Sequence, residues 1–359
     1  MTEDAIYERL NLLLRPPGQG IHAVSSGLSD GVSFMKLWMP TFKEAWIEQI
    51  KNIPQHSICM FGIPSDAGAG IVKGCAHGTT AVRKSLFAQP VLDLGDIFCI
   101  PHYLSDSMLN DKQIEASRLA IYPDCDESVR NSLPVSPLDM AAEMVRLVLA
   151  LRPDMRFCMI GGDHSVTWPL IKSLVDNSTE KEKIGVLHFD AHTDMLEQRL
   201  GVDICFSTWA YHTSQLLHKP DHLLQIGIRA TAHPKEYWEQ NYGIAQITAK
   251  EALQSSAPQL AKHCAQHFSS RGVTKIYISN DIDATDKSMA PSCGTPEAGG
   301  LYPHHINSVI DAMIQEGIQV IGMDVVEVAP MIGTTPGIMS TCRNAALYFK
   351  NQLKAMQAN

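Results

Sequence analysis

The sequence predicts an α/β fold in which a mostly parallel sheet carries helices on both faces. Three observations predict it: short apolar runs recur along the chain, helical patterns lie between most of them, and several runs end directly in clusters of Asp and His. A short apolar run bounded by polar residues is typical of a strand that is buried on both faces. Strands that alternate with helices form right-handed β-α-β units, which place parallel strands side by side.

The predicted strands and helices alternate from residue 57 onwards. The apolar runs that predict strands are 57–61, 91–94, 155–160, 184–189, 223–228, 275–279 and 320–324. The amphipathic patterns that predict helices are 78–86, 136–151, 167–175, 250–267, 304–315 and 338–353. The helix at 136 has a clear start, because Ser, Pro and Asp stand at its cap, its first position and its first turn.

The remaining segments are less regular. Two helical patterns, 3–14 and 42–51, precede the first strand. Residues 101–135 are polar and contain several Pro, Asp and Ser, which predicts an irregular surface excursion, and a flap over a site is one interpretation. We therefore predict an N-terminal extension at 1–56 that packs on the core, followed by a single domain at 57–359.

The composition is that of a large globular protein and argues against several partners. The chain has 359 residues, 45% of them apolar, which suffices for a sizeable core. A net charge of −9 disfavours nucleic acid and anionic membranes as partners. No apolar stretch approaches the roughly 20 residues of a membrane helix. The nine cysteines are scattered and form no Cys-x-x-Cys pair, and the N-terminus lacks a signal pattern. Both features predict a cytoplasmic location.

Polar clusters follow four of the predicted strands. They are 161–165 (Gly-Gly-Asp-His-Ser), 190–194 (Asp-Ala-His-Thr-Asp), 280–283 (Asn-Asp-Ile-Asp) and 324–327 (Asp-Val-Val-Glu). The carboxyl ends of parallel strands meet along one edge of a sheet, where ligands gather. We therefore expect these four clusters to form one site.

Spacing within the clusters favours a pair of metal ions. In extended backbone, residues two apart share a face, so alternate Asp and His side chains of one cluster point the same way. Carboxylates that lie side by side without a counter-charge repel each other, and metal ions relieve that repulsion. The predicted ligands are His164, Asp190, His192, Asp194, Asp281 and Asp283. This oxygen- and nitrogen-rich set without thiolate favours Mn²⁺, with Fe, Co or Ni as alternatives.

Each cluster also has a simpler interpretation. An isolated Asp-x-Asp is usually a turn or a helix cap, and a lone buried His is more often a core residue than a ligand. Gly-Gly-Asp-His could be a tight turn before a helix. The metal site is nevertheless favoured, because three clusters each follow a predicted buried strand and together complete one ligand set.

The charge of the predicted site suits a cationic substrate. The four carboxylates of the ligand set balance two divalent ions, and a hydroxide together with Glu327 would leave the pocket negative. Two neighbouring ions lower the pKa of a shared water, which can then attack a trigonal carbon. The residues thus predict a hydrolase for a guanidinium or amidinium compound.

The first three clusters resemble the signature motifs of the ureohydrolase superfamily, which includes arginase, agmatinase and formimidoylglutamase. Further similar segments are 74–83, 93–96, 293–300, 323–328 and 333–336. The resemblance implies a three-layer α/β/α sandwich with a mostly parallel sheet of about eight strands. It also implies two manganese ions per subunit and a homo-oligomer, commonly a trimer or hexamer.

The resemblance further implies a role for each site residue. Asp190 and Asp281 would bridge the two ions. His164 and Asp194 would complete the coordination of one ion, and His192 and Asp283 that of the other. Asp194 would also orient the attacking water and pass a proton to the leaving amine. Glu327 would pair with the guanidinium of the substrate.

Several departures from the family pattern bear on the substrate. Met195 and Leu196 follow the second motif, where arginases carry an Asn that helps to read the substrate carboxylate. Residues 230–232 (Ala-Thr-Ala) stand where arginases place an Asp for the substrate amine. L-arginine is therefore not the expected substrate. Lys287 is a further departure, because the family usually has Pro there.

The family's proton-shuttling His is also missing. Cys205 occupies its position, and a thiol replaces an imidazole only in part because its ordinary pKa lies well above neutrality. His212 is an alternative shuttle, although a surface or structural His is the simpler interpretation. Formimidoylglutamases also lack this His, so its absence does not imply inactivity.

The leading hypothesis is a manganese-dependent amidinohydrolase that releases urea from a small guanidino-compound other than L-arginine, with agmatine-like substrates fitting best. Hydrolysis of a formimino substrate, formimidoylglutamate, to formamide is the alternative within the family. A second hypothesis is a catalytically lapsed relative that binds metal or ligand without turnover. A third, a deacetylase-like amide hydrolase, is disfavoured by Glu327, because a buried carboxylate requires a cationic partner.

Overall fold

The computed structural model describes residues 1–22, 39–86, 89, 91–179 and 183–358. Within those ranges, nine strands form one sheet with helices on both faces, so the predicted α/β class is confirmed. The strands are β1 (Leu14–Arg15), β2 (Ile58–Ile63), β3 (Leu92–Ile97), β4 (Arg156–Gly161), β5 (Ile184–Phe189), β6 (Leu223–Ile228), β7 (Ala245–Thr248), β8 (Lys275–Asn280) and β9 (Gln319–Val325).

The sheet is parallel except at one edge. Its strand order is β1-β3-β2-β4-β9-β8-β5-β6-β7, and every neighbouring pair from β3 to β7 is parallel. The short strand β1 pairs antiparallel with β3 and adds a ninth strand to the eight parallel ones. The short outer strand β7 was not predicted, because Ala-Gln-Ile-Thr is not an apolar run.

Thirteen α-helices are described. They are α1 (Glu3–Leu13), α2 (Met39–Ile50), α3 (Gly78–Leu86), α4 (Asp111–Ile121), α5 (Glu127–Arg130), α6 (Pro137–Leu151), α7 (Thr167–Asp176), α8 (Trp209–Leu216), α9 (Lys235–Tyr242), α10 (Ala249–Gln254), α11 (Ala257–Ser269), α12 (Pro303–Gln315) and α13 (Thr335–Gln357). None of them has a stretch long and apolar enough to cross a membrane.

Alternating side chains of the central strands supply two separate cores. In β4, Phe157 and Met159 pack into the core on one face, whereas Cys158 and Ile160 pack into the core on the other. This division follows from the period of two in a strand, which sends successive side chains to opposite faces. Both faces must therefore be apolar, which is why the central strands appear in the sequence as continuous apolar runs.

The segment 101–135 is more regular than the sequence predicts. It contains α4 and α5, and Asn110 with Gln113 forms a reciprocal capping box at the start of α4. Leu104 and Leu133 are buried, and the Tyr122 hydroxyl donates to the carbonyl of Pro134 at 2.7 Å. The prediction of an irregular excursion is wrong for these residues, because its Pro, Asp and Ser act as caps and turns between short helices.

The strand order explains why one edge of the sheet can hold a site. The four polar clusters follow β4, β5, β8 and β9, and these strands lie side by side in the order β4-β9-β8-β5. They run parallel, so their carboxyl ends meet at one edge, as predicted.

Arg83 fixes α3 to β3 near that edge. Its guanidinium donates to the two carboxylate oxygens of Asp93 at 3.0 and 3.2 Å, and it pairs with Asp96. The side chains of Arg83 and Asp96 are 11% and 1% exposed. Burial raises the pKa of Asp96, and the charge of Arg83 opposes that rise.

We expect Arg83→Met to lower the free energy of unfolding by about 3–5 kcal/mol, because the substitution leaves a buried Asp96 carboxylate without its cation. Urea unfolding measures this loss. The matched control is Lys84→Met, an exposed position of the same helix, which should change stability by about 0.5 kcal/mol or less. Equal effects of the two variants would contradict a structural role for the Arg83 pair.

Candidate metal centre

The predicted metal ligands converge at the carboxyl ends of the central strands. His164 follows β4, Asp190 follows β5, and Asp281 and Asp283 follow β8. Five of the six predicted ligands are buried, and the side chain of His192 is 27% exposed. The structure therefore brings together residues from three distant segments, as the spacing of the clusters predicts.

A tight turn positions His164. A Cβ on Gly162 would lie 1.7 Å from the carbonyl oxygen of Ser65, so only glycine allows this close approach of two backbone segments. Asp163 holds the turn rather than the site, because its carboxylate accepts from the backbone N–H groups of Gly68 and Ser165, each at 2.9 Å. The tight-turn interpretation of this cluster is thus true of Asp163, while His164 faces the other clusters.

The Nδ1 atom of His164 lies among three carboxylates. It is 3.2 Å from Asp190 Oδ2, 3.3 Å from Asp194 Oδ2 and 3.2 Å from Asp281 Oδ2. Nδ1 is buried and has no hydrogen-bond partner of suitable geometry among the described residues. A nitrogen lone pair that faces three carboxylate oxygens is the arrangement that a cation completes.

A chain of hydrogen bonds sets the tautomer of His164. The Ser279 hydroxyl donates its hydrogen to Asp324 Oδ1 at 3.0 Å. Ser279 Oγ therefore accepts from His164 Nε2–H, which lies 2.9 Å away. With the proton on Nε2, the lone pair of Nδ1 is free to bind a metal ion.

His192 forms a second group that shares Asp190 with the first. Its Nδ1 atom lies 3.0 Å from Asp283 Oδ2 and 3.4 Å from Asp190 Oδ1. Two overlapping sets of side chains lie close enough together to hold an ion: His164, His188, Asp190 and Asp194, and Asp190, His192 and Asp283. His188 belongs by proximity only, because its two ring nitrogens contact Asp190 and Gln225, and Asp281 lies outside both sets although its Oδ2 is 3.2 Å from His164 Nδ1. The described residues could thus hold two ions that share Asp190 as a ligand.

The electrostatics of the cluster favour a bound cation. Burial and the charge of Asp190 raise the pKa of Asp194 well above its usual range. Burial and the charges of Asp283 and Asp190 do the same to Asp281. Burial lowers the pKa of His192, but Asp190 and Asp283 outweigh it and raise that pKa to about 12. In each case neighbouring carboxylates contribute to the shift, and divalent ions would neutralise that negative charge.

Donors around the cluster hold the carboxylates in place. His188 Nε2–H donates to Asp190 Oδ2 at 2.8 Å, and its Nδ1 accepts from the Gln225 amide at 3.1 Å. Trp209 Nε1–H donates to Asp194 Oδ2 at 2.8 Å. The Thr295 hydroxyl donates to Asp283 Oδ2 at 3.0 Å. These supporting contacts were not predicted from the sequence.

Glu327 is buried beside the cluster on a strained backbone. Its φ of 63° is left-handed, as is the φ of 51° at Asp194, and such values are uncommon for residues other than glycine. Glu327 accepts from the backbone N–H of His164 at 2.9 Å and from the Cys75 thiol at 3.0 Å. Burial and the charge of Asp163 raise its pKa to about 7. Burial and Glu327 in turn raise the pKa of Cys75, so the thiol keeps its hydrogen.

A cavity of about 290 Å³ opens above the cluster. Its lining includes five site residues, namely His164, His192, Asp194, Asp281 and Glu327. The rest of the lining is mainly small or apolar and includes Gly70, Val72 and Phe206. The volume suits a small linear molecule, and Glu327 offers such a molecule an anionic contact.

The two predicted proton shuttles lie elsewhere. Cys205 is buried, and its Sγ lies 3.3 Å from Ser207 Oγ; it lines an adjoining cavity of about 330 Å³. His212 Nε2 lies 3.0 Å from the carbonyl of Glu197, and its ring contacts Trp168 edge-on. Neither residue lines the cavity above the cluster. A catalytic role for Cys205 or His212 stays a prediction.

Comparison with known proteins gives a consistent family signal. Residues 56–348 match the arginase family. An agmatinase from Bacillus cereus is 31% identical over 291 residues, which cover 80% of this chain and 89% of the relative. A mitochondrial agmatinase from Gallus gallus is 33% identical over 177 residues, and a guanidinobutyrase from Pseudomonas aeruginosa is 32% identical over 179 residues. These two matches cover 48% and 49% of this chain and span only about half of each relative, 49% and 54% of its length.

Solved structures share the fold. A formimidoylglutamase from Bacillus subtilis superposes with a TM-score of 0.64 at 21% identity, over 84% of this chain and 87% of that one. An arginase from Medicago truncatula superposes with a TM-score of 0.61 at 19% identity, over 91% of this chain and 99% of that one. At these identities the likeness concerns the architecture alone.

We expect Trp209→Phe to weaken manganese binding by about tenfold or more, because the variant keeps an aromatic ring but loses the donor that orients Asp194. Titration calorimetry with Mn²⁺ measures the change. Trp238→Phe is the matched control, since the Trp238 indole donates to Thr231 and His233, which are not predicted metal ligands. Unchanged affinity in Trp209→Phe would show that the hydrogen bond to Asp194 does not support metal binding.

Proposed function

We propose that this chain, which belongs to the arginase family, hydrolyses a C–N bond of a small guanidino-compound and releases urea and an amine. One observation carries the proposal: the cavity that contains the unpartnered Nδ1 of His164 among three carboxylates also contains the buried carboxylate of Glu327. The first group suits metal ions, and Glu327 suits a guanidinium beside them.

The proposed metal ligands are the six side chains predicted from the sequence. Asp190 would be shared, since its two oxygens face His164 and His192 respectively. Oxygen and imidazole donors without thiolate favour manganese, with iron, cobalt or nickel as alternatives. When bound, a pair of such ions would polarise the substrate and lower the pKa of a water molecule.

Glu327 is the proposed binding group for the guanidinium. A planar guanidinium offers paired N–H donors that match a carboxylate. Glu327 is held by His164 N–H and the Cys75 thiol, so it can accept these donors without moving. The carboxylate lines the cavity, where it would orient the central carbon of the substrate toward the metal cluster.

Asp194 is the proposed proton carrier. It lines the cavity, and Trp209 Nε1–H binds its Oδ2 atom. The other oxygen, Oδ1, would take a proton from the attacking water and deliver it to the leaving amine.

The names of the relatives support a guanidino substrate but differ in the other end of that substrate. The substrate of an agmatinase ends in an amine, and the substrate of a guanidinobutyrase ends in a carboxylate. The residues at 195–196 and 230–232, which depart from the arginase pattern, argue against L-arginine itself. We also propose a homo-oligomer, trimeric or hexameric as is common in the family.

A second candidate is hydrolysis of formimidoylglutamate to formamide. The observation that favours it is Cys205, since formimidoylglutamases also lack the shuttle His of other family members. The two activities differ in product, so incubation of manganese-loaded protein with guanidino- and formimino-compounds separates them. We expect urea from the guanidino-compounds and no formamide. Formamide without urea would favour the second candidate.

We expect Glu327→Gln to lower kcat/KM for urea release by about 100-fold or more, because the amide loses the charge that binds the guanidinium. The amide oxygen can still accept from His164 N–H, so the fold should be retained. Glu316→Gln, at an exposed position after α12, is the matched control and should behave like the unmodified chain.

Loss of the same size in both variants would contradict the proposed role of Glu327. Metal-loaded protein that releases neither urea nor formamide would instead favour the lapsed relative. In that case Cys205→His, which restores the family's residue, should create activity.

A further inference from the structure

Arg199 lies at the outer end of the candidate active site. Among the residues that the structure describes, it is the one Lys or Arg side chain that lines the cavity above the metal cluster. Together with Ala69 and Phe206, it also lines the adjoining cavity. None of the predicted metal ligands lines that second cavity. Arg199 therefore lies where the two cavities meet, at the end of the active-site cavity that adjoins the second one.

A tight turn places Arg199 at this boundary. The backbone N–H of Arg199 donates to Val202 O at 3.0 Å, and the N–H of Val202 donates to Arg199 O at 2.9 Å. The two residues between them, Leu200 and Gly201, have φ values of 53° and 82°. These left-handed values are those of the two-residue hairpin turn, which fixes the direction in which the chain presents Arg199.

The guanidinium of Arg199 is available to a ligand. Its Cζ atom lies 5.1 Å from the centroid of the Phe206 ring, a cation–π contact that leaves the N–H donors free. Among the described residues, no carboxylate pairs with it. Lys73 differs in this respect, because its ammonium donates to the carbonyl oxygens of Asp66 and Ala69.

The two ends of the site therefore carry opposite charge. Asp194, Asp281 and Glu327 line the inner end, and Asp190 and Asp283 lie beside them. The negative charge of these carboxylates exceeds the positive charge that two divalent ions would bring. A guanidinium fits this inner end. Arg199 attracts an anion to the outer end and repels a second cation.

We infer that Arg199 is a specificity-determining residue that selects a substrate with a carboxylate tail, an ω-guanidino acid such as 4-guanidinobutanoate. The amine tail of agmatine would bring a second cation to Arg199. The inference rests on the proposed function. It differs from the sequence-based preference for agmatine, which followed from the missing arginase contact at 195–196, because Arg199 supplies another contact to an anion from the same loop.

Urea release from 4-guanidinobutanoate and from agmatine, measured with manganese-loaded protein, tests the inference. We expect kcat/KM to favour the acid by about tenfold or more, and Arg199→Glu to lower kcat/KM for the acid by about tenfold or more, mainly through KM, while raising it for agmatine. Arg199→Lys keeps the charge and should keep most of the preference. Lys262→Glu, an equal charge change at an exposed position of α11, should leave both values unchanged.

The outcomes separate the inference from the proposed function. If urea is released but Arg199→Glu leaves the ratio of kcat/KM for the acid to kcat/KM for agmatine unchanged, the inference is overturned. The proposed function then still stands. Absence of urea from both compounds would count against the proposed function. The inference would then be decided by binding of the corresponding products, 4-aminobutanoate and 1,4-diaminobutane. A rise in Tm with the acid that Arg199→Glu abolishes supports it, and an equal or larger rise with the diamine overturns it.

Discussion

Electrostatic repulsion among buried carboxylates is the constraint on which the rest of this structure depends. Oxygens of Asp190, Asp194 and Asp281 all lie within 3.3 Å of one imidazole nitrogen, in a region that water barely reaches. Burial alone raises the energy of each charged group, and their proximity adds to it. Divalent cations would offset this cost, and the site is therefore best explained by the ions that it would hold.

The fold offsets part of this cost with fixed donors. His188, Trp209 and Thr295 each donate to one of the carboxylates, and Ser279 sets the tautomer of His164 through Asp324. His188 and Ser279 belong to β5 and β8 and Trp209 belongs to α8, elements that pack against the two cores, whereas Thr295 lies in a loop between β8 and α12. The backbone strain at Asp194 and Glu327 is tolerated for the same reason, since the surrounding strands leave these residues little freedom to relax.

Much of this organisation could be predicted from the sequence, because its signals are local. An apolar run followed by Asp and His at alternate positions marks both a buried strand and the site at its end. The supporting contacts could not be predicted, because they join residues far apart in the chain. Cys75 and Glu327, for example, meet only when β4 and β9 pair and α3 packs over them.

The strand β7 was missed because it is short and half polar. The capping box at Asn110 and Gln113, in contrast, was a readable signal within a segment predicted as irregular. Arg199 carries no motif, and its position relative to the cavity is visible only in the folded chain.

The number of metal ions that the folded chain retains tests the central claim most directly. After loading with Mn²⁺ and removal of free metal, elemental analysis should find about two ions per chain, and Asp190→Asn, which alters the shared ligand, should lower both occupancies. Folded, unmodified protein that retains no Mn²⁺ and no other divalent transition metal would contradict the claim that repulsion among these carboxylates is relieved by bound ions.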